Sequence, residues 1–386
     1  MSVLLASIKR GITRLATRKT YLAAMVVVPI LCTWFFGSVL GTGVPEKVPT
    51  AVVDLDHSEM SRAMTRSLNA QQLIDVSMRA ESYDQAMTAL REGRIFGFYV
   101  IPNNFETDAL GGRRPTISYV TNMTYFVPGT FTYKGFKTIA VASAAAIVKD
   151  MGTSMGATED LVSDLVQPVA VNINPINNPW TNYAYYLGPS FTMGVLELMI
   201  LLVTIFSITT EIKNYTSRRW LDTAGGSIFV AVTGKLLPQT IIFTLVGWAI
   251  EAIMFTWLRY PMNGSATVMF GVMPLFVVAC QAFGVFFSSI LPNPRMALSC
   301  AALLGMLAFS FTGFSFPVEN MYGPIAIFSY MMPVRYMFLI YLNTALNGFD
   351  VFYVRDYLIA MVLFIPAGML FLWRLKQACR RPVYIP

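Results

Sequence analysis

The sequence predicts a membrane α-helical protein, six transmembrane helices with an α/β domain inserted between the first and the second. Three observations carry this prediction. Of 386 residues, 55% are hydrophobic and only 13% charged, about half the charge of an ordinary soluble domain, and mean hydropathy is +0.56. Most apolar residues stand in uncharged runs long enough to cross a bilayer. The charge also divides unevenly: 11 basic and 14 acidic residues lie between Pro45 and Trp180, with 17 and 7 elsewhere, so the net +7 is −3 in one stretch and +10 in the rest. Basic loops facing anionic lipid account for that excess, and no nucleic acid is needed.

Met1 to Thr20 carries Lys9, Arg10, Arg14, Arg18 and Lys19 and no acid. Leu4, Ile8, Ile12 and Leu15 share one helical face, with Arg10, Arg14 and Arg18 on the opposite one. Residues 1–20 are therefore predicted to form an amphipathic helix on the cytoplasmic membrane surface. The uncharged run from Tyr21 to Leu40 places the first span at 21–41. This run is longer than the roughly 7–15 residues of a cleavable signal's apolar region, and Gly41-Thr42-Gly43 offers no small-x-small cleavage site.

The inserted extracytoplasmic domain, 45–180, alternates in period. Thr50 to Leu55, Leu73 to Met78, Ile95 to Ile101 and Thr116 to Val120 read as strands, with Ser58 to Leu68 and Ser82 to Arg91 as helices between them. Ser82 and Gln85 make a capping-box pair, Gly93 closes that helix, and Asn103 with Glu106 opens the next before Gly111-Gly112. Longer helices over Phe126 to Asp150 and Thr158 to Val166 lead back to the membrane.

Residues 181–376 hold the remaining spans, near Tyr183 to Thr209, Ile228 to Met254, Ala266 to Ile290, Met296 to Phe314 and Tyr357 to Trp373, followed by a cytoplasmic tail at 377–386. Lys213, Arg218, Arg219, Arg295, Arg374, Lys376, Arg380 and Arg381 collect on one side, against Arg259, Arg335 and Arg355 on the other. Both termini are thereby predicted to be cytoplasmic. Asn320 to Val334 and Tyr336 to Phe349 are uncharged but only 15 and 14 residues long, punctuated by Pro317, Pro324 and Pro333. An outer re-entrant hairpin within 315–350 fits them better than two further spans.

Catalysis is excluded on several counts. Gly234-Lys235 resembles the end of a phosphate-binding loop, but Phe229 stands where the loop needs glycine and Leu236 where it needs Ser or Thr. His57, the single histidine, ends the first strand after Asp54 and Asp56 and reads as a turn residue. Cys32, Cys280, Cys300 and Cys379 have neither a disulfide framework nor metal-ligand spacing. No catalytic, cofactor or metal residue is assigned.

Glu197 interrupts the second span far from either end, where a carboxylate costs about 2.5–3.5 kcal/mol on insertion scales. It is read either as a protonated group bonded to a neighbouring helix or as a cavity-lining residue. Lys235 and Glu251 lie nearer the ends of the third span and are read as snorkelling. Trp180, Tyr183, Tyr185 and Tyr186 are read as an interfacial belt.

The order of these parts resembles the type-2 ABC exporter permease family. Ala51-Val52-Val53-Asp54-Leu55-Asp56 resembles the family's first domain strand. Gly97 to Phe105, with Ile101-Pro102-Asn103-Asn104-Phe105, resembles its strand and "IP-x-x-F" turn. Asn177-Asn178-Pro179 and Tyr185-Tyr186-Leu187-Gly188-Pro189 resemble the approach to the second span, and Gly234 to Pro238 the start of the third. Gly313-Phe314-Ser315-Phe316-Pro317, with Pro333, Arg335 and Tyr336, resembles the outer hairpin. In the segment 211–227 the family's "E-x-E-x-G-T" loop is altered: Glu211 and Thr216 are kept, while Lys213 and Tyr215 replace the second acid and the glycine, followed by Arg218 and Arg219.

The resemblance implies a permease that binds no cofactor itself, driven by separate cytoplasmic ATPase subunits that use ATP and Mg. The implied ATPase contact is Glu211, Lys213, Tyr215, Thr216, Arg218, Arg219 and Asp222, and the implied outer gate is Phe314, Phe316 and Pro317. Implied partners are a second identical or homologous permease, membrane lipid, and a periplasmic adaptor with an outer-membrane channel, in a Gram-negative inner membrane. Six spans rarely enclose a path alone, which also favours a dimer. The rivals are a membrane anchor displaying the α/β domain, which needs only one or two spans, and an ion-coupled transporter, whose inverted repeats are not visible. Drug, lipid, peptide and polymer substrates all remain open.

Overall fold

Backbone in hydrocarbon has no water to bond, so each long uncharged run closes its hydrogen bonds within itself as a helix. A computed structural model describes residues 3–113, 115–154, 156, 158, 176–179, 181–314 and 316–383. They fall into two units, Met1–Gly43 with Pro175–Pro386, and Val44–Asn174. The first unit opens with the basic helix α1, Val3–Ala16, and the first span α2, Lys19–Val39.

The second unit is a four-stranded sheet with helices. Its elements are β1 (Val48–Asp54), α3 (Glu59–Ala70), β2 (Ile74–Ala80), α4 (Tyr83–Arg91), β3 (Gly97–Ile101), α5 (Phe105–Leu110), β4 (Ser118–Thr121) and α6 (Phe126–Ser154). Strand order is β2-β1-β3-β4, parallel except for β4. Both faces are covered, so β1 is buried along nearly its whole length rather than alternating. Ala51 and Val53 pack with Ala86, Leu90 and Phe98 on one side, Val52 with Met64, Leu68, Tyr99 and Phe105 on the other. The helix expected over Thr158 to Val166 and the belt residue Trp180 lie outside the described residues.

Local chemistry sets the turns of this domain. Ser58 and Ser82 cap α3 and α4, accepting from the Ser61 and Gln85 amides, while Gln85 Oε1 returns to the amide of Glu81 rather than that of Ser82. The expected Asn103–Glu106 opening of α5 is replaced. Asn104 is left-handed at φ 58 and makes no side-chain cap. Asp56, two residues past the end of β1, accepts instead from the Phe105 amide at 2.9 Å and the Glu106 amide at 3.1 Å. The site lies beside β1 and β3, where the strand order reverses and open sheets usually hold ligands. Here the chain's own carboxylate fills the anion position. Burial works against that charge, but hydrogen bonds from Ser58 and the Asn104, Phe105 and Glu106 amides outweigh it and hold Asp56 below the usual carboxylate range.

The first unit resumes with α7 (Ala184–Lys213), a short α8 (Ser217–Thr223), α9 (Ile228–Trp257), α10 (Ala266–Ile290) and α11 (Pro294–Phe311). Next come α12 (Gly323–Tyr330) and α13 (Pro333–Leu346), bent by 80°, then α14 (Val351–Met369) and α15 (Leu372–Arg380). Among the described residues six helices, counting α14 with α15, are long and apolar enough to cross a bilayer, as expected. The first begins at Lys19 and the last at Val351, further out than Tyr21 and Tyr357, because flanking polar residues continue the helix. Pro324 and Pro333 stand in the first turns of α12 and α13, where a missing N–H costs nothing. The most apolar stretches of α7 and α10 are 67% buried against 17% for the last span, so these two form the centre, around Leu196, Ile200, Leu201, Phe276 and Cys280.

Candidate functional site

At the end of the bundle carrying α1 and α8, three charged side chains from distant parts of the sequence meet out of water. Glu211, in the last turn of α7, is 4% exposed. Its Oε2 accepts from Arg10 Nη2 of α1 at 2.8 Å, and its Oε1 from Lys235 Nζ of α9 at 2.7 Å. Thr216 Oγ1 donates to the same Oε2. The cations find further acceptors: Lys235 donates to Ser207 O at 3.0 Å and Arg10 to Thr216 O at 3.4 Å. One carboxylate thus gathers α1, α7, α9 and the start of α8.

Small residues make this approach possible. A Cβ on Gly234 would lie 2.4 Å from Ser7 Oγ, and one on Gly11 2.9 Å from Gly234 O. The packed face of α1 is therefore Ser7, Arg10 and Gly11. Leu4 and Ile12, on the face expected to meet lipid, are 41% and 53% exposed and remain available to it. Lys235 also lies 4.8 Å above the Trp220 ring, and Trp220 Nε1 donates to Ala231 O at 3.2 Å. Ser217 Oγ and Arg218 Nε donate to Cys379 O and Arg380 O, at 2.9 and 2.8 Å. Helix α8 is thereby clamped to α9 and α15.

The residues expected to contact an ATPase separate into two groups. Lys213, Tyr215, Arg218, Arg219 and Asp222 lie at or near the surface, whereas Glu211 is turned inward and Thr216 is half-buried. Tyr215 is 62% exposed and has φ 58, a left-handed conformation that glycine adopts most readily, and it stands where the resembled family carries glycine. Lys235 is not snorkelling, as expected from sequence, but 6% exposed and paired. Nor is Glu251, fully buried with neither carboxylate oxygen partnered among the described residues. Both face protein because their neighbours along the helix, Gly234 and Ile250, are themselves packed.

Glu197, also fully buried, accepts from the Val334 amide at 2.8 Å. Pro333 has no N–H, so Val334 offers the first free donor of α13, and the carboxylate sits at the positive end of that helix dipole. Of its two sequence readings, the structure displays the bond to a neighbouring helix. Arg335, counted from sequence among the outer loops, is 6% exposed and donates to Thr312 O at 3.0 Å. Phe314 packs on Phe191 and Phe338 at 5.3 and 6.0 Å, while Phe316 and Pro317 are exposed and Ser315 lies outside the described residues.

Arg10 and Lys235 are the participants that sequence reasoning missed. The signal for Lys235 was a cation behind a glycine within an otherwise uncharged run, and for Arg10 its place beside Ser7 and Gly11, two small residues four apart.

Among the described residues, six candidate spans, a sharply bent helix pair, an inserted α/β domain and a basic helix clamped to the bundle define a multi-pass membrane protein. The sequence profile of the ABC-2 family transporter proteins matches residues 19–374, and the chain belongs to that family. It is 24% identical over 161 residues to the probable multidrug ABC transporter permease YbhR of Escherichia coli K12, an alignment covering 41% of this chain and 43% of YbhR. It is 21% identical over 321 residues to the probable multidrug ABC transporter permease YbhS of the same organism, covering 81% of this chain and 80% of YbhS. The chain thus spans less than half of YbhR in one alignment and most of YbhS in the other. Family membership makes it a membrane component of the ABC-2 transporter type.

Proposed function

We propose that this chain is the membrane-spanning subunit of an ATP-driven exporter, residing in an inner membrane with both termini cytoplasmic and the α/β domain outside. Separate ATPase subunits dock on the exposed side of α8, at Lys213, Tyr215, Arg218, Arg219 and Asp222, and substrate leaves through the interface with a second permease. The observation that carries this reading is the Arg10–Glu211–Lys235 cluster. An ATPase moves spans only through a rigid element joined to them, and the cluster joins α1, α7, α8 and α9 into one such body. The relatives named multidrug permeases favour drug-like substrates, and the outer domain is suited to a periplasmic adaptor. The test is co-purification of the chain with its ATPase and reconstitution in vesicles. ATP hydrolysis coupled to export is expected from the pair and no hydrolysis from the chain alone; robust hydrolysis by the chain alone would overturn the assignment.

A further inference from the structure

The apolar side chains of the α/β domain do not all serve its core. Met123, Tyr125 and Phe126, three within four residues, are 51%, 54% and 67% exposed and belong to neither cluster that packs on the sheet. Exposed apolar residues standing singly are ordinary, whereas a contiguous group marks a contact surface. No charged residue occurs between Arg114 and Lys134, so nothing in the sequence breaks this surface. The loop that carries it is built. Asn122 donates its amide to Phe96 O at 3.1 Å and accepts the Thr124 amide on Oδ1 at 3.0 Å, and Gly129 donates to Tyr125 O at 2.9 Å. Tyr125 meets the ring of Phe96 edge-on, with centroids 5.5 Å apart, and Met123 lies so close to Gly129 that a Cβ there would stand 3.1 Å from its Sδ. The loop is thus held in shape with apolar surface outward.

Strand register fixes the end of the domain at which this loop lies. Thr50 of β1 pairs with Gly97 of β3, and Gly97 with Thr121 of β4. The loop after Thr121 therefore opens at the end where β1 begins, two strand spacings or about 10 Å from it. That is the end at which the chain arrives from the first span. After α2 the chain turns tightly, Gly43 donating to Leu40 O at 2.8 Å and accepting at 2.6 Å from the amide of Tyr183, which precedes α7. Five residue steps then lead from Gly43 to Val48, so the near end of the sheet stands within about 18 Å of Gly43. Leu55, by contrast, follows β1 at the far end, where its amide donates to Ile101 O.

A bilayer surface is the partner that this placement supplies. Aromatic rings favour the boundary between water and lipid, tyrosine above all because its hydroxyl stays wet. Lys134, the next charge after the loop, comes eight residues beyond Phe126, about 12 Å along α6, and so stays clear of hydrocarbon. Three side chains would hold a free domain to lipid only weakly. The tether to α2 makes the contact intramolecular, so a weak affinity suffices. We propose that the loop from Asn122 to Phe126 is a membrane foot of the α/β domain: Met123, Tyr125 and Phe126 rest in the interfacial layer of the leaflet on the domain's side and fix its height over the lipid. The proposal needs the first span in a bilayer and is independent of the export reading.

The test uses the full chain, freed of its native cysteines, in nanodiscs of phosphatidylethanolamine and phosphatidylglycerol. A nitroxide is attached in turn to Tyr125→Cys, Phe126→Cys and, at the far end of the sheet, Leu55→Cys, all exposed positions that the core does not need. Collisions are read with oxygen, which concentrates in lipid, and with a water-soluble nickel chelate. At 125 and 126 oxygen is expected to outweigh nickel, with nickel collisions several-fold fewer than at 55. Nickel collisions equal to those at 55 would overturn the proposal. Shielding from both reagents would overturn it too, by placing the loop against protein. Phe126→Asp tests the apolar contact without threatening the fold, since an acid suits the first turn of α6. It should raise nickel collisions at the 125 label toward the value at 55; no change would overturn the proposal.

Discussion

At the residue scale the decisive group is Glu211, because it answers two cations away from water. Removing one partner of such a cluster leaves an uncompensated buried charge, which costs about 3–5 kcal/mol. Lys235→Met and Glu211→Gln are therefore each expected to lower the thermal midpoint sharply, while the double variant recovers part of the loss. Equal and additive losses would show that the pair is not coupled. Tyr215 presents the opposite case. Its left-handed backbone strains a tyrosine by about 1 kcal/mol or more relative to glycine, so Tyr215→Gly should leave folding intact while weakening ATPase binding, measured by co-purification. Unchanged binding would remove Tyr215 from the contact. Sequence gave half of this site. Glu211 stood in a recognisable loop, but its partners lie 201 and 24 positions away, and pairing at that distance is decided by packing at Gly11 and Gly234, which charge patterns do not encode.

Among the elements, α5 is instructive because its cap comes from elsewhere. Local rules place Asn103 at its start, and only the fold brings Asp56 there, once β1 and β3 are adjacent. Because the folded domain holds Asp56 below its ordinary value, its contribution is complete above the unfolded carboxylate pKa of about 3.9 and is lost as pH falls through the folded value. Hydrogen exchange at the Phe105 and Glu106 amides should accordingly lose protection on acidification below pH 4, and Asp56→Asn should reduce it already at neutral pH. Protection unchanged in the variant would mean that the Asp56 carboxylate is dispensable there. The spans themselves were legible to within a few residues, since a run without charge long enough to cross hydrocarbon has few other folds open to it. The stretch before the last span shows the converse: runs of 15 and 14 residues interrupted by proline are each too short to cross, and the chain folds there into two short helices bent by 80° rather than into two further spans.

For the whole molecule, charge asymmetry predicts sidedness. Basic residues cluster at the end with α1, α8 and α15, and the energetic reason is attraction to anionic lipid together with the cost of translocating cations. Single-cysteine labelling decides the matter, and the structure selects the positions. Ser217 is fully buried and bonded to Cys379 O, so a cysteine there would stay silent on either side of the membrane. Tyr215 is 62% exposed and Ser82 is exposed on the inserted domain. The native thiols must first be removed, Cys280 and Cys379 being buried and Cys32 and Cys300 half-buried. In intact cells a membrane-impermeant maleimide is expected to label Ser82→Cys and spare Tyr215→Cys, with both reacting after permeabilisation. The reverse pattern would put the Glu211 cluster on the outer side, beyond the reach of any ATPase, and with it would fall the coupling role assigned to α8.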